Sequence, residues 1–283
     1  MKTIRLLYPD HVSGGLDTYY FGANLLSHIL PQNERQPLVK VEIAPPDGRE
    51  RAVTKGIYAR EEVLAGIAAA QKALENERPD RVITIGGNCF VFLAPFDYLH
   101  GLSPDCGIVW IDAHPDVSTV AGGYPNAHAM VLGALLGRGD PTLASTMRNP
   151  SFSADSVLYV GLQGLHDYQQ RFLDDAKVNY KVQTDGFVND GEVCAFLKQF
   201  PQILVHLDID VLDEHFFHST YFANSELVGD GAGGGRMTME RLGGILRLIT
   251  GQADVRGFTI AEYLPFDEHH LHRMLSGIPL FTE

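Results

Sequence analysis

Six short apolar runs constrain the fold of this chain more than any other feature. They lie at residues 4–8, 81–85, 107–112, 156–161, 203–208 and 255–261. The runs are uninterrupted rather than alternating, which is typical of parallel strands covered on both faces. Helical patterns lie between or after them, at residues 60–76, 126–137, 190–200, 238–250 and 268–276. This order predicts an α/β fold with a mostly parallel sheet and helices on both sides.

Length and charge limit the classes of protein. The 283 residues are 45% hydrophobic and contain no linker that would divide them, so we expect a single domain over residues 1–283. The formal net charge of −13 disfavours a nucleic-acid partner. The three cysteines form no paired motif, and neither a signal peptide nor a long apolar segment is evident. We therefore expect a cytoplasmic protein without a membrane span.

Ligand-type side chains follow the run at 107–112. Asp112, His114 and Asp116 occupy alternate positions, and alternate residues of an extended chain point to the same side. They would converge at the carboxyl end of a strand, which is where ligands bind in open α/β sheets.

A second acidic segment follows the run at 203–208, where Asp208 and Asp210 again share a side. Several carboxylates at one point repel each other and are costly to bury, but two divalent cations would neutralise four of them. Carboxylate and imidazole ligands suit Mn, and also Fe, Co, Ni or Zn. The alternative is that these acids only cap backbone N–H groups after the strands.

Five segments together resemble the ureohydrolase family, which includes arginase, agmatinase and formiminoglutamase. In chain order they are Gly86-Gly87-Asn88-Cys89, Asp112-Ala113-His114-Pro115-Asp116, Asn126-Ala127-His128, Asp208-Ile209-Asp210-Val211-Leu212-Asp213, and Glu262 before Leu264-Pro265. The resemblance extends from about residue 80 to the end of the chain. It implies an arginase-like three-layer α/β/α sandwich and a binuclear metal centre, usually containing Mn.

The same resemblance assigns the metal ligands. Asp112 and Asp208 would bridge two ions, Asp116 would complete the shell of one ion, and His114 and Asp210 would hold the other. A hydroxide between the ions would attack the carbon of a small cationic guanidino or amidino compound. The implied activity is therefore hydrolysis of a linear C–N bond, and family members often form homo-oligomers.

Four further positions would handle the substrate and its protons. The resemblance makes His128 the proton shuttle and Glu262 the group that binds the cationic head of the substrate. Asn126 belongs to the segment that contains His128, and we expect it to contact the substrate. His166 aligns with an aspartate that arginases use near the substrate's α-amino group, although a one-residue shift would place Asp167 there.

Cys89 departs from the family pattern, because a histidine ligand usually occupies this position. As a thiolate it would be a metal ligand, would add a negative charge and would shift the metal preference from Mn towards Zn, Fe or Co. As a buried apolar residue it would leave one ion with too few ligands. Asn88 likewise replaces an acidic residue next to the ligands.

The substrate and the activity keep alternatives. The segment after Asp116 is Val117-Ser118-Thr119 and lacks the asparagine that arginases use near the α-carboxylate. Agmatine-like, guanidino-acid and formimino substrates therefore stay open beside arginine. The Gly-rich segment 216–236 is interpreted as a long loop near the site. The alternative function is a catalytically impaired family member that only binds a metal or a ligand.

Overall fold

The computed structural model describes residues 1–183, 186–227, 229 and 231–281, and its framework is a parallel sheet. The strands are β1 (Thr3–Tyr8), β2 (Leu38–Lys40), β3 (Val53–Thr54), β4 (Ile57–Tyr58), β5 (Arg81–Gly86), β6 (Cys106–Ile111), β7 (Val157–Val160), β8 (Gln202–Asp208) and β9 (Val255–Ala261). Seven of them form one sheet in the order β2-β1-β5-β9-β8-β6-β7, with every pairing parallel. Strands β3 and β4 form a separate antiparallel pair.

Helices occupy most of the connections between these strands. They are α1 (Asp17–Ile29), α2 (Arg60–Glu77), α3 (Leu93–Leu102), α4 (Val131–Leu135), α5 (Pro141–Ala144), α6 (Asp167–Ala176), α7 (Asp190–Leu197), α8 (Met239–Gln252) and α9 (Phe266–Ser276). Within the described residues, no helix combines the length and the apolar content that a bilayer crossing requires.

The sheet buries apolar side chains on both faces, as its uninterrupted sequence pattern predicts. Strand β6 shows this directly, since all six of its residues are buried. Ile108 and Trp110 belong to one core, which includes residues of α2, α3, α4 and α6. Val109 and Ile111 belong to a second core with residues of α7 and α8. The protein is therefore a three-layer α/β/α sandwich.

The order of the strands places the four acidic or polar strand ends side by side. Strands β5 and β6 follow each other in sequence, but β9 and β8 lie between them in the sheet. Because all four strands are parallel, their carboxyl ends meet at one edge. Cys89, Asp112, Asp208 and Glu262 follow or end these strands, so the topology brings them together.

The structure differs from the sequence-based helices in a few places. The predicted helix at 126–137 is a 3-10 turn, Ala127–Met130, followed by the short helix α4. The chain then reverses: Gly137 has a φ of +66°, and a Cβ on Gly139 would lie 2.5 Å from the backbone of Gly133. The predicted helix at 190–200 ends at Leu197, and helices α1, α3, α5 and α6 were not predicted.

Candidate metal centre

A tight turn after β5 carries Asn88 and Cys89. Gly87 requires glycine, because a Cβ there would lie 1.9 Å from the backbone oxygen of Asp10. The buried Asn88 side chain caps the 3-10 turn that follows, and its Nδ2 donates to Asp10 Oδ2 at 3.0 Å. These contacts fix Cys89, whose Sγ donates to Asp208 Oδ2 at 2.8 Å. The turn thus brings the cysteine to the end of β8, two strands away.

The ends of β6 and β8 use the same local turn. Asp112 Oδ1 accepts a hydrogen bond from the backbone N–H of His114 at 2.6 Å, and Asp208 Oδ1 accepts one from Asp210 at 2.6 Å. The two interpretations of these acids are therefore compatible. One oxygen of each aspartate caps the backbone, and the other contacts side chains of the site.

One group of metal-type donors contains Asp112, His114 and Asp210, whose ligand atoms lie within 4.8 Å of one another. The Nδ1 atom of His114 is 2.9 Å from Asp210 Oδ2 and 3.6 Å from Asp112 Oδ1. On the other side of the ring, His114 Nε2 is 3.1 Å from the backbone oxygen of Gly233. The ring is thereby held between the two acidic strand ends and the loop above them.

A second group shares Asp112 with the first. It contains Cys89, Asp112, Asp116 and His206, all buried, with ligand atoms again within 4.8 Å of one another. Cys89 also belongs to a third group with Asp208 and Glu262. All six sequence-predicted metal ligands therefore lie in one continuous cluster, and His206 is an additional member that the sequence analysis did not identify.

Asp116 occupies the most unusual position of this cluster. Its φ is +49°, a left-handed conformation that side-chain-bearing residues rarely adopt. It is 4% exposed, and its Oδ2 has no hydrogen-bond partner within the described residues. A buried carboxylate oxygen without a partner is costly, and a cation at this point would remove that cost. The donor set and this oxygen therefore fit a divalent metal.

Burial and mutual repulsion dominate the electrostatics of the acids. Burial raises the pKa of Asp112 well above its usual value, and the charge of Asp210 raises it further. Burial also raises the pKa of Asp116 and of Asp208, with added repulsion from Asp112 on the former and from Asp210 on the latter. Without cations, the cluster therefore favours protonated carboxyl groups.

His114 and Asp210 form the ionised pair of the cluster. Burial alone would lower the pKa of His114, but the charge and hydrogen bond of Asp210 raise it to about 10. Burial would raise the pKa of Asp210, but the charge and hydrogen bond of His114 lower it. A metal ion bound to His114 would have to displace this proton.

Glu262 lies directly after β9 and contacts His128 and Tyr19. Its φ is +60°, and it is 4% exposed. Its Oε1 is 3.1 Å from His128 Nδ1, and its Oε2 accepts a hydrogen bond from the Tyr19 hydroxyl at 2.9 Å. Burial opposes charge on His128, but the hydrogen bond and charge of Glu262 raise its pKa. The Nε2 atom of His128 is 3.1 Å from the hydroxyl of Tyr124.

A cavity of about 410 Å³ is lined both by metal-type donors and by the His128–Glu262 pair. Its lining includes Cys89, His114, Asp116, Asp208, Asp210, Asn126, His128 and Glu262, together with Tyr19, Tyr124, Gln169, Tyr221 and Phe222. Eight sequence-predicted residues therefore face one space. Asp112 lies deeper, at 0% exposure.

His166 occupies a different place from these residues. It is the N-cap residue of α6, and its ring stacks on that of Tyr168 with centroids 5.6 Å apart. Among the described residues, Gln169 lines the cavity from this helix, whereas His166 does not. A substrate contact by His166 stays a prediction.

The segment 216–236 forms a loop beside the cavity, as predicted. Tyr221, Phe222, Gly229 and Ala232 contribute to the cavity wall. Val228 and Asp230, which belong to the same segment, lie outside the described residues. The exposed His215 pairs with Asp213 at 2.9 Å, away from the buried cluster.

Sequence reasoning missed His206, Tyr19 and Tyr124. A signal for His206 was present, because it lies two residues before Asp208 and therefore on the same face of β8. No local pattern indicates Tyr19, which reaches Glu262 across 243 positions of the sequence.

Comparison with known proteins decides the family. The sequence model of the Arginase family matches residues 38–275, most of the chain. The chain belongs to the arginase family.

Individual relatives agree with this assignment. The arginase of Entamoeba histolytica is 30% identical over 157 residues, 52% of this chain and 53% of that protein. The chain thus spans about half the length of the curated relatives it matches, the human arginase-1 included at 51%. The structure of the Entamoeba histolytica enzyme with L-ornithine has a TM-score of 0.77 at 21% identity and covers 94% of this chain and 93% of its own.

The fold is shared beyond arginases. A putative agmatinase from Clostridium difficile has a TM-score of 0.63 at 16% identity, covering 97% of this chain and 92% of its own. The formimidoylglutamase of Bacillus subtilis has a TM-score of 0.60 at 14% identity, covering 93% of this chain and 78% of its own. These similarities confirm the arginase-like fold. Membership of the arginase family does not select one substrate.

Proposed function

We propose that this member of the arginase family hydrolyses a linear C–N bond of a small guanidino or amidino compound and that it depends on two divalent metal ions. One observation carries the proposal: the metal-type donors and the His128–Glu262 pair line the same cavity. Metal ligands and an acid–base pair at one cavity are what metal-assisted hydrolysis requires.

Two groups of residues would hold the ions. His114, Asp210 and Asp112 form one group, and Cys89 and Asp116 contribute to the other, with Asp208 near Cys89. When bound, divalent ions would neutralise the carboxylates and lower the pKa of a bound water enough for attack near neutral pH. Mn is the expected metal from the family resemblance, with Zn, Fe, Co or Ni as alternatives because of Cys89.

Glu262 would bind the cationic head of the substrate. Its carboxylate faces the cavity, and the Tyr19 hydroxyl orients one of its oxygens. A guanidinium or amidinium group presents parallel N–H donors, which match the two oxygens of a carboxylate. Burial of Glu262 excludes water and strengthens this contact.

His128 would deliver the proton that the leaving amine needs. Its contact with Glu262 favours the protonated ring, and its Nε2 reaches the Tyr124 hydroxyl. A histidine whose pKa is raised by Glu262 and that lies beside this substrate-binding carboxylate suits a general acid. Asn126 and His166 remain proposed substrate contacts, and Asn126 lines the cavity. Arginine, agmatine-like, other guanidino-acid and formimino compounds stay candidates.

A specific contact favours a second candidate function, a metal- or ligand-binding protein without strong catalysis. In the structure, Cys89 donates a hydrogen bond to Asp208, which requires a protonated thiol. If that bond persists, Cys89 and one oxygen of Asp208 are withdrawn from the ligands of one ion.

The deciding experiment measures metal content and turnover on the same protein. The purified chain is reconstituted with Mn, Zn, Co or Ni and screened for urea, amide or ammonia release from each candidate substrate. Two bound ions with turnover that disappears in Glu262→Gln support the hydrolase. Bound metal with no turnover on any guanidino or amidino compound supports the binding protein instead.

A further inference from the structure

His206 lies directly beneath the candidate metal centre. It is a residue of β8 with 0% exposure, and its ring packs against Phe92 and Trp110 with centroids 4.1 Å and 4.4 Å away. Because it precedes Asp208 by two positions, it points to the same face of the sheet. This is an apolar environment in which a histidine needs a specific partner.

The contacts of the ring point towards the cluster. His206 Nε2 is 3.3 Å from Asp112 Oδ2 and 3.6 Å from Cys89 Sγ. The other ring nitrogen, Nδ1, has no hydrogen-bond partner within the described residues. A metal bond at Nε2 would place the ring proton on Nδ1 and so would not satisfy that nitrogen. A ligand role is therefore supported by the surroundings of Nε2.

The spacing of these atoms resembles that of ligands around one ion. Nitrogen and sulfur ligands bind zinc at about 2.0–2.3 Å in tetrahedral sites, which separates two ligand atoms by roughly 3.3–3.7 Å. Both His206 distances fall in this range. The contact with Asp112 is longer than the usual N–H···O hydrogen bond, about 2.7–3.2 Å.

The position of His206 also relates to the departure at Cys89. The family resemblance places an imidazole ligand at residue 89, where this chain has a thiol. Here the imidazole of His206, on strand β8, belongs to the same group of donors as Cys89. Where the family resemblance implies one histidine ligand, this chain therefore has the shorter Cys89 thiol together with the His206 imidazole of β8.

We propose that His206 Nε2 is a metal ligand and that, with Cys89, Asp112 and Asp116, it forms a thiolate–imidazole–carboxylate site for a zinc-like ion. This inference rests on the proposed metal centre and assigns it a ligand. One thiolate and one imidazole favour Zn, Fe or Co over Mn, because softer ligands select softer ions. The competing role for His206 is an N–H donor to Asp112.

The first test uses the unaltered protein, loaded with Zn²⁺ and crystallised, with the ions located by anomalous scattering. We expect one ion at about 2.1 Å from His206 Nε2. Two bound ions that both lie beyond about 3 Å from Nε2, outside bonding range, would overturn this inference and leave the metal centre intact. A protein that binds no ion would overturn the metal centre as well.

The second test separates a ligand from a hydrogen-bond donor. His206→Gln keeps an amide N–H donor near the position of Nε2 but removes the imidazole. Trp110→Phe is the matched control, because Trp110 Nε1 donates to the same oxygen, Asp112 Oδ2, at 3.1 Å. Zn²⁺ affinity is measured by competition with a chromophoric chelator. Co²⁺-loaded samples report the coordination directly, through thiolate charge-transfer and ligand-field absorption.

A ligand role predicts that His206→Gln weakens Zn²⁺ binding by more than about 100-fold, beyond the 10–100-fold effect of an outer hydrogen-bond partner. It also predicts a changed Co²⁺ spectrum in His206→Gln but an unchanged one in Trp110→Phe. Unchanged affinity and spectrum in His206→Gln would show that an N–H donor is sufficient and would contradict the proposal. Circular dichroism of the metal-free variants controls for folding.

Discussion

The acidic ends of β6 and β8 differ instructively from the end of β5. At β6 and β8, an aspartate caps the backbone two residues later at 2.6 Å, and the sequence shows this repeat directly. At β5, Asn88 and Cys89 replace the expected pair, and the nearest imidazole comes from a different strand. The local turns after β6 and β8 fix the positions of Asp112 and Asp208. The changed residue after β5, Cys89, instead contacts a buried side chain of β8, His206.

The largest expected effect separates the buried cluster from the surface. His114→Ala removes a ring that contacts Asp210 at 2.9 Å, so the group of Asp112, His114 and Asp210 loses its imidazole metal ligand. We expect loss of about one metal equivalent and a fall in kcat/KM of about 10³-fold or more, the equivalent of several kcal/mol of transition-state stabilisation. Elemental analysis and steady-state kinetics measure both.

His215→Ala is the matched control for His114→Ala. His215 also contacts an aspartate at 2.9 Å, but its side chain is 78% exposed. We expect unchanged metal content and turnover. A similar loss in both variants would mean that the exposed Asp213–Glu214–His215 group also contributes to metal binding, so that the effect is not specific to the buried cluster.

The next effect concerns the β9 end, where Glu262 depends on Tyr19. Tyr19→Phe removes the hydroxyl that donates to Glu262 Oε2 at 2.9 Å. Hydrogen bonds to charged groups contribute about 1.5–3 kcal/mol, so we expect kcat/KM to fall by about 10–100-fold, mainly through KM. Tyr180→Phe is the control, because its hydroxyl donates to Asp174 at 3.0 Å away from the cavity. An unchanged KM in Tyr19→Phe would contradict the role of Tyr19 in orienting Glu262.

The same comparison explains how much of the molecule is predictable from sequence. The six apolar runs all became strands, because a parallel sheet covered on both faces favours apolar residues at consecutive positions. The short strand β2 is half exposed and carries no such pattern. Helix α3 is almost wholly buried, with Leu93 to Leu99 mostly inside the core, so it lacks the polar face that makes a helix recognisable.

The site follows the same rule. Asp112, His114 and Asp116 were identified because their spacing is local. His206 was not identified: its spacing to Asp208 places it on the same face of β8, but its contact with Cys89 spans 117 positions of the sequence. The substrate contact of His166 rests on the family resemblance alone and stays a prediction, and at the start of α6 its ring lies against Tyr168.

A stability measurement tests whether Cys89 and His206 compensate each other in size. Cys89→His alone adds an imidazole beside His206, whose Nε2 is 3.6 Å from Sγ. Crowding the new ring against the buried His206 costs about 1–3 kcal/mol, and we expect this loss in the metal-free protein. Adding His206→Ser should restore part of it, because the two positions share one space. Urea unfolding of the two single variants and the double variant measures the coupling. Additive effects would mean that the two residues do not compensate each other.

The smallest expected effect is the pH dependence of the stability of the metal-free protein. Measured with and without metal, it compares the cluster with and without its cations. The pKa of His114 is raised to about 10 in the folded protein. A raised pKa means that the unfolded chain releases its proton first. The contribution to stability is therefore complete below the ordinary histidine pKa of about 6.5 and is lost as the pH rises through about 10. The raised pKa values of Asp112, Asp116 and Asp208 act in the same direction.

Opposing groups do not act in this window. Burial lowers the pKa of His206 to about 3, so its contribution is complete above about 6.5 and constant at higher pH. Between about pH 7 and 9.5, we expect the unfolding midpoint of the chelated protein to fall by about 2–4 °C per pH unit. Bound cations remove the repulsion, so the metal-loaded protein should show a weaker dependence. A midpoint of the chelated protein that rises with pH would mean that the acids are already neutralised by something other than protons.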